Sequence, residues 1–195
     1  MRQSWSDALT AIRWACSVSG NPGRPYSSRM LDAWREEGDS TDAAGQAGII
    51  FRLLWELRGA PMATLVARAV KPSIPCRCKA PCCSGKRMNN DWKEAIDVLA
   101  AAALAAGISG RSYDLRVAIL HRFYGSYQSY RQIALALSGD NAPVDDGTVA
   151  RNGKEMKAWL GAKEGGDNSE TRDGIEPMAF MRATELLQSA GLLTG

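Results

Sequence analysis

Four cysteines, Cys76, Cys78, Cys82 and Cys83, fall within eight residues in the segment PCRCKAPCCSGKR, which carries several basic groups and no acidic one. Thiolates this close repel one another unless a soft cation neutralises them, so the spacing demands a tight loop and points to Zn2+. The string C-x-C-x3-C-C offers four thiolates, but adjacent cysteines rarely both reach one ion without distorting the loop. The ligand set therefore stays open: Cys76, Cys78 and one or both of Cys82 and Cys83, with Cys16 or His121 completing it if the fold brings either near. Reduced thiols packed in a loop, or a redox-sensing or disulfide pair, are the competing readings. A chain of 195 residues buries a core without covalent staples, so a disulfide scaffold is not needed.

The N-terminal string MRQSWSDALTAIRW interrupts its apolar residues with Asp7 and Arg13, unlike a signal peptide. No stretch approaches the ~20 apolar residues of a membrane span. The expectation is a cytoplasmic protein with no membrane partner, a reducing setting in which clustered cysteines hold metal more often than they pair. The net charge of +3 is unevenly spread: residues 1–70 carry 8 basic and 7 acidic groups, residues 71–131 carry 10 and 4, and residues 132–195 carry 6 and 10. A basic band centred on Lys71, Arg77, Lys79, Lys86 and Arg87 is the local footprint that phosphates require.

Periodicity makes the chain all-α, a helical bundle interrupted by the cysteine loop. Trp5, Leu9, Ile12 and Ala15 or Cys16 form a helical stripe that ends at Gly20-Asn21-Pro22-Gly23; Cys16 lies on its apolar side and reads as core. A second helix is predicted over Ser28 to Glu37, and a third, capped by Thr41 or Asp42, carries Ile49, Ile50, Leu53, Leu54 and Leu57 before Gly59. Pro61 opens a fourth helix to Val70. No β-alternating run of useful length appears. Asn90 or Asp91 caps a fifth helix to Gly107, and a final helix spans Pro177 to Ala190. The expected organisation is an N-terminal helical region (1–70), a basic cysteine loop (71–90), a helical DNA-binding region (91–164), a polar linker (165–176) and a C-terminal helix (177–195).

Within residues 112–160 three helices follow closely. The first runs from Ser112 to Tyr124, the second is SYRQIALAL with Ser129 as cap, and the third starts at Asp145 or Asp146 and continues through Val149, Met156 and Leu160. Ala134 supplies the small residue where two such helices cross, with Ile133, Leu137, Val144, Val149 and Met156 as shared core. The strings YRQIALAL and VDDGTVAR resemble the helix-turn-helix of sigma-factor region 4 and of small phage regulators, with Asp145 as N-cap and Thr148, Val149 and Arg151 in the matching places. Together with the cysteine knuckle, the chain is similar to phage late-gene antiterminators of the Q type, which bind DNA and act on RNA polymerase. The resemblance implies double-stranded DNA as partner and a contact to RNA polymerase or its sigma factor. The turn SGDNAP replaces a single glycine of the common motif, so the docking angle of the third helix is left to the tertiary structure.

On that third helix, Val149, Gly153, Met156 and Leu160 mark the inner stripe, which leaves Thr148, Arg151, Asn152, Lys154 and Lys157 outside. Arg151 has the fork to pair with guanine and Asn152 the amide to pair with adenine, while Lys154 and Lys157 suit phosphates. Arg131 on the second helix and Lys79, Lys86 and Arg87 beside the cysteines complete the candidate DNA-binding set. His121, the only histidine, reads as structural. The chain has no G-x-x-x-x-G-K-[ST], no G-x-S-x-G, no H-E-x-x-H and no zinc-deaminase signature, so the expectation is a non-enzyme without a small-molecule substrate. The expected function is sequence-specific transcription regulation of a phage or prophage. The alternatives are a zinc-stabilised RNA-binding module and a helical protein-interaction adaptor.

Overall fold

The computed structural model describes residues 4–18, 26–35, 43–75, 86–110, 112–126, 128–138, 143–161 and 174–194. Among them the chain is mainly helical, as its periodicity predicts. In order come α1 (Ala8–Val18), α2 (Tyr26–Arg35), α3 (Ala43–Leu53), α4 (Ala60–Ala69), β1 (Ser73–Pro75), β2 (Lys86–Met88), α5 (Asn90–Ala105), α6 (Tyr113–His121), α7 (Tyr130–Leu137), α8 (Asp146–Leu160) and α9 (Ile175–Ser189).

The central element is α4. Its residues are almost all small or apolar, and Met62, Ala63, Thr64, Leu65, Val66, Ala67 and Ala69 are all buried, so it packs on α1, α5 and α9 at once. Gly59 precedes it at φ 82°, a left-handed backbone that lets the 3-10 turn Leu54–Leu57 reverse directly into Pro61 at the helix start. The buried apolar residues of every helix from α1 to α9 belong to one cluster, in which Trp92, Phe51, Phe123 and Met62 are among the largest fully buried side chains.

Two sets of contacts place the C-terminal helix. Trp5 N–H donates to the Leu192 carbonyl (2.9 Å) and Thr194 N–H to the Trp5 carbonyl (2.9 Å), pairing the segments before α1 and after α9. At the other end of α9, Glu176 receives Arg68 Nε (2.9 Å) and the Tyr124 hydroxyl (2.8 Å), while the Arg68 guanidinium stands 4.7 Å over the Tyr124 ring. The backbone of Gly174 lies against that of Gly161, so close that a Cβ at Gly174 would stand 2.5 Å from Gly161 Cα. The chain thus leaves α8 and re-enters α9 at one point, whatever the length of the intervening polar segment.

Several boundaries differ from the sequence expectation for local reasons. Asn89, not Asn90 or Asp91, caps α5, its side chain accepting from the amides of Asp91 (2.9 Å) and Trp92 (3.4 Å). The helix expected to reach Tyr124 ends at His121 and passes into a wide π turn, Arg122–Ser126, which carries Phe123 and Tyr124 into the core. The stems of the cysteine loop pair as a short antiparallel ribbon, Ser73 with Met88, Ile74 with Arg87 and Pro75 with Lys86. Three-residue strands without alternation leave no periodic signal, so this ribbon was not legible in the sequence. No described helix is long and apolar enough to cross a membrane.

Candidate nucleic-acid interface

The three helices α6, α7 and α8 start where their capping residues dictate. Ser112 accepts from the Leu115 amide, and Ser129 closes a reciprocal capping box with Gln132, its hydroxyl accepting from Gln132 N–H (3.2 Å) and its own N–H donating to Gln132 Oε1 (2.7 Å). Asp145 accepts from the Thr148 amide (2.8 Å), and this bond, with the Thr148 hydroxyl, holds its carboxyl below the ordinary value. At the other end of α8, Gly161 adopts φ 66° and terminates the helix with a left-handed residue.

Helices α7 and α8 pack on each other and on α6 around Leu115, Ile119, Ile133, Ala134, Val149, Met156 and Leu160, all buried. The closest approach is between the Tyr130 ring and Gly153: a Cβ at position 153 would stand 2.4 Å from Tyr130 Cε1. The Arg122 guanidinium stands 4.2 Å over the same ring, and Arg122 also donates to the Gln128 carbonyl. The long SGDNAP turn is closed at its base by Ser138. Its Oγ accepts from Val144 N–H (2.8 Å) and donates to the Ala134 carbonyl (2.8 Å), so one side chain ties the end of α7 to the approach to α8. Ser138 and Val144 are thus joined directly across residues 139–142, and α8 docks on α7.

A second clamp holds α8 from the α5–α6 connection. Ser109, at φ 58°, donates its hydroxyl to the Asn152 carbonyl (2.7 Å) and its amide to Glu155 Oε2 (3.3 Å). Arg116 is fully buried and donates to the carbonyls of Ala100 (2.9 Å) and Gly110 (2.7 Å), so it braces this turn and does not face a partner.

These contacts sort the candidate residues. Arg151 and Lys154 are exposed and share a face with the exposed Gly147 and Ala158; Lys157 is half-exposed at the edge of that face. Thr148 is half-exposed with its hydroxyl on Asp145. Asn152 corrects the sequence reading. It is buried beside Gly110, and its Nδ2 donates to the Thr148 carbonyl (2.8 Å), because the 107–110 turn crosses α8 at that position. Arg131 is exposed on α7. Asp145 and Asp146 are exposed at the start of α8, so its outer face runs from acidic to basic along the helix.

Lys86 and Arg87 are exposed on β2, at the base of the cysteine loop. Cys76, Cys78, Cys82, Cys83 and Lys79 lie outside the described residues. The pairing of Pro75 with Lys86 nevertheless brings the two ends of residues 76–85 side by side. Pro72, just before the ribbon, lies against the π turn after α6: a Cβ at Gly125 would stand 3.0 Å from Trp92 and 3.3 Å from Pro72. His121 meets the Trp92 ring edge-on at 4.8 Å, and burial lowers its basicity, which favours a neutral imidazole. Cys16 is half-buried and packs against the core; burial, with the Asp91 charge nearby, raises its thiol well above the ordinary range. No group of three or more His, Cys, Asp or Glu side chains suited to a metal occurs among the described residues.

One cluster escaped the sequence reading. Arg29 on α2 and Asp91 on α5 form a buried ion pair (2.5 Å), with Arg29 also stacked on Phe51 at 5.7 Å. Arg29 Nε, Asp91 Oδ1 and Glu94 Oε2 are buried without a hydrogen-bond partner. Only Asp91 and Glu94, three apart on one helix, gave a signal, and that spacing is also common on solvated faces. No protein-family model matches the chain, and neither a curated protein nor a solved structure matches it.

Proposed function

We propose that this protein binds duplex DNA in a sequence-dependent manner, with α8 entering the major groove and α7 lying across the backbone, and that it regulates transcription. The observation that carries the reading is the α7–α8 contact at Tyr130 and Gly153, with Arg151 and Lys154 exposed on one outer face of α8. A helix that presents basic side chains from a small trihelical body suits groove entry. Arg151 is the base-reading residue of this proposal and Lys154 the phosphate contact; Asn152 is committed to the fold. The resident metal would be Zn2+ held by thiolates of the 76–83 cluster, for which the paired loop stems and the all-sulfur donor set are suited. Its chemistry is structural: a closed thiolate site holds the loop in one shape.

Titration with duplex and single-stranded oligonucleotides, after selection of the best duplex from a random pool, tests this reading. Arg151→Ala is expected to weaken the selected duplex by about 1–3 kcal/mol and to relax preference at one position. Lys154→Ala is expected to weaken selected and random duplexes alike and to reduce the salt slope by roughly one. Parental affinity and salt slope in both variants would overturn the reading, and a preference for single strands would favour RNA binding instead. The polymerase contact rests on the likeness of the two strings taken together with the cysteine cluster. Failure of RNA polymerase holoenzyme to join the protein on its selected DNA counts against it.

A further inference from the structure

The ribbon formed by β1 and β2 is cationic on both of its faces. Successive residues of a strand point to opposite sides, so Lys86 and Arg87 leave the ribbon in opposite directions, Lys86 beside its partner Pro75 and Arg87 beside Ile74. All of β2 is exposed, and Lys71, just before β1, is exposed as well. Among the described residues none of these three cations makes an ion pair, and residues 71–90 contain no acidic group. A flat acidic protein surface would engage one face of such a ribbon and leave the other charged and unmatched. A duplex rims the groove that α8 would enter with the phosphates of two strands, so cations that leave the ribbon in opposite directions can both meet it.

The position of the ribbon ties it to the same duplex. Pro72 and Trp92 lie against Gly125 in the π turn that follows α6, and that turn leads within a few residues to Ser129, the cap of α7. Arg122 from the same turn sits on Tyr130, the first residue of α7, whose ring in turn touches α8. The stretch leading into the ribbon, the turn after α6, the start of α7 and the middle of α8 therefore adjoin one another in series. In a helix-turn-helix body the helix before the recognition helix crosses the sugar–phosphate backbone.

We infer that the β1–β2 ribbon is a second DNA contact, set beside the start of α7, in which Lys71, Lys86 and Arg87 meet the phosphates that flank the groove occupied by α8. The inference rests on the reading of α8 given above. The ribbon adds affinity and fixes orientation; sequence preference stays with α8.

The test is the double substitution Lys86→Gln, Arg87→Gln in the full-length chain, with Lys86→Arg, Arg87→Lys as the charge-preserving control. Thermal melting checks that both remain folded. On the selected duplex the double glutamine variant is expected to lose about 1.8 from the slope of log affinity against log salt, at about 0.9 per phosphate contact released. It should weaken selected and random duplexes by the same factor, and hydroxyl-radical protection should disappear from backbone positions at one flank of the site. The charge-preserving variant is expected to keep the parental slope and protection. A parental slope and footprint in the double glutamine variant, while Arg151→Ala still weakens the selected duplex, would overturn the ribbon contact and leave the α8 reading in place. If neither set of substitutions changes binding, both readings fall.

Discussion

Replacing Gly153 by alanine puts a methyl carbon 2.4 Å from Tyr130 Cε1 and 2.6 Å from both Tyr130 Cζ and the phenol oxygen. Moving the ring disturbs the Arg122 guanidinium stacked over it at 4.2 Å, a contact worth about 0.5–1 kcal/mol. Forcing the extra carbon into this contact costs about 1–3 kcal/mol. The same substitution relieves a helix-interior glycine, which favours alanine by about 1 kcal/mol. In the parent the two effects oppose, and Gly153→Ala is expected to destabilise by about 0–2 kcal/mol. In a Tyr130→Ala background the clash is gone, so the same change should stabilise by about 1 kcal/mol. Urea denaturation of the four proteins, followed by circular dichroism at fixed salt, gives a coupling energy of about 1–3 kcal/mol. If Gly153→Ala stabilises both backgrounds equally, Tyr130 does not lie on Gly153, and the described contact of α7 and α8 is wrong. A coupling present in stability should reappear in DNA binding, since displacing Tyr130 disturbs the seat of α8.

Asp91→Leu strands the Arg29 cation in the core and is expected to cost about 3–5 kcal/mol, whereas adding Arg29→Met should recover most of it; equal loss in the single and double variants refutes the pairing. Burial raises the Glu94 carboxyl above its ordinary value against the opposing Ser27 hydrogen bond, so its contribution to stability is present below about pH 4.5 and lost as pH rises through the folded value. Glu94→Gln should remove that dependence, and an unchanged pH profile of unfolding would count against burial as the cause. The protein purified under reducing conditions should carry about one zinc per chain, and Cys78→Ser should lower it; absence of metal from the parent by elemental analysis sinks the site.

The starts of the three helices of the candidate site were legible because each is set by a local bond. Ser112, Ser129 and Asp145 each satisfy the amide three residues ahead, and such caps depend on nothing distant. The inner stripe of α8 was legible for a similar reason: Val149, Gly153, Met156 and Leu160 recur at helical spacing, and all four are buried. Asn152 was misplaced because helical spacing puts it at the border of that stripe. The side on which it falls was decided by Ser109, which is 43 residues away in the chain. Arg116 gave no signal either: an arginine on a helix is usually solvated, and only the carbonyls of Ala100 and Gly110 converging on it make its burial tolerable.

By itself the sequence determined the mainly helical character, the caps of α6, α7 and α8, the inner stripe of α8, and where the basic charge and the thiols concentrate, since these follow from composition and from bonds and periodicities spanning one or two turns. Only the tertiary structure decided that the stems of the cysteine loop pair as a ribbon, that Pro72 just before this ribbon lies against Gly125 in the turn leading to α7, and that Ser138 closes the long turn before α8. Those arrangements depend on side chains brought together across the chain, and no local pattern encodes a contact whose two halves are each satisfied elsewhere in an unfolded chain.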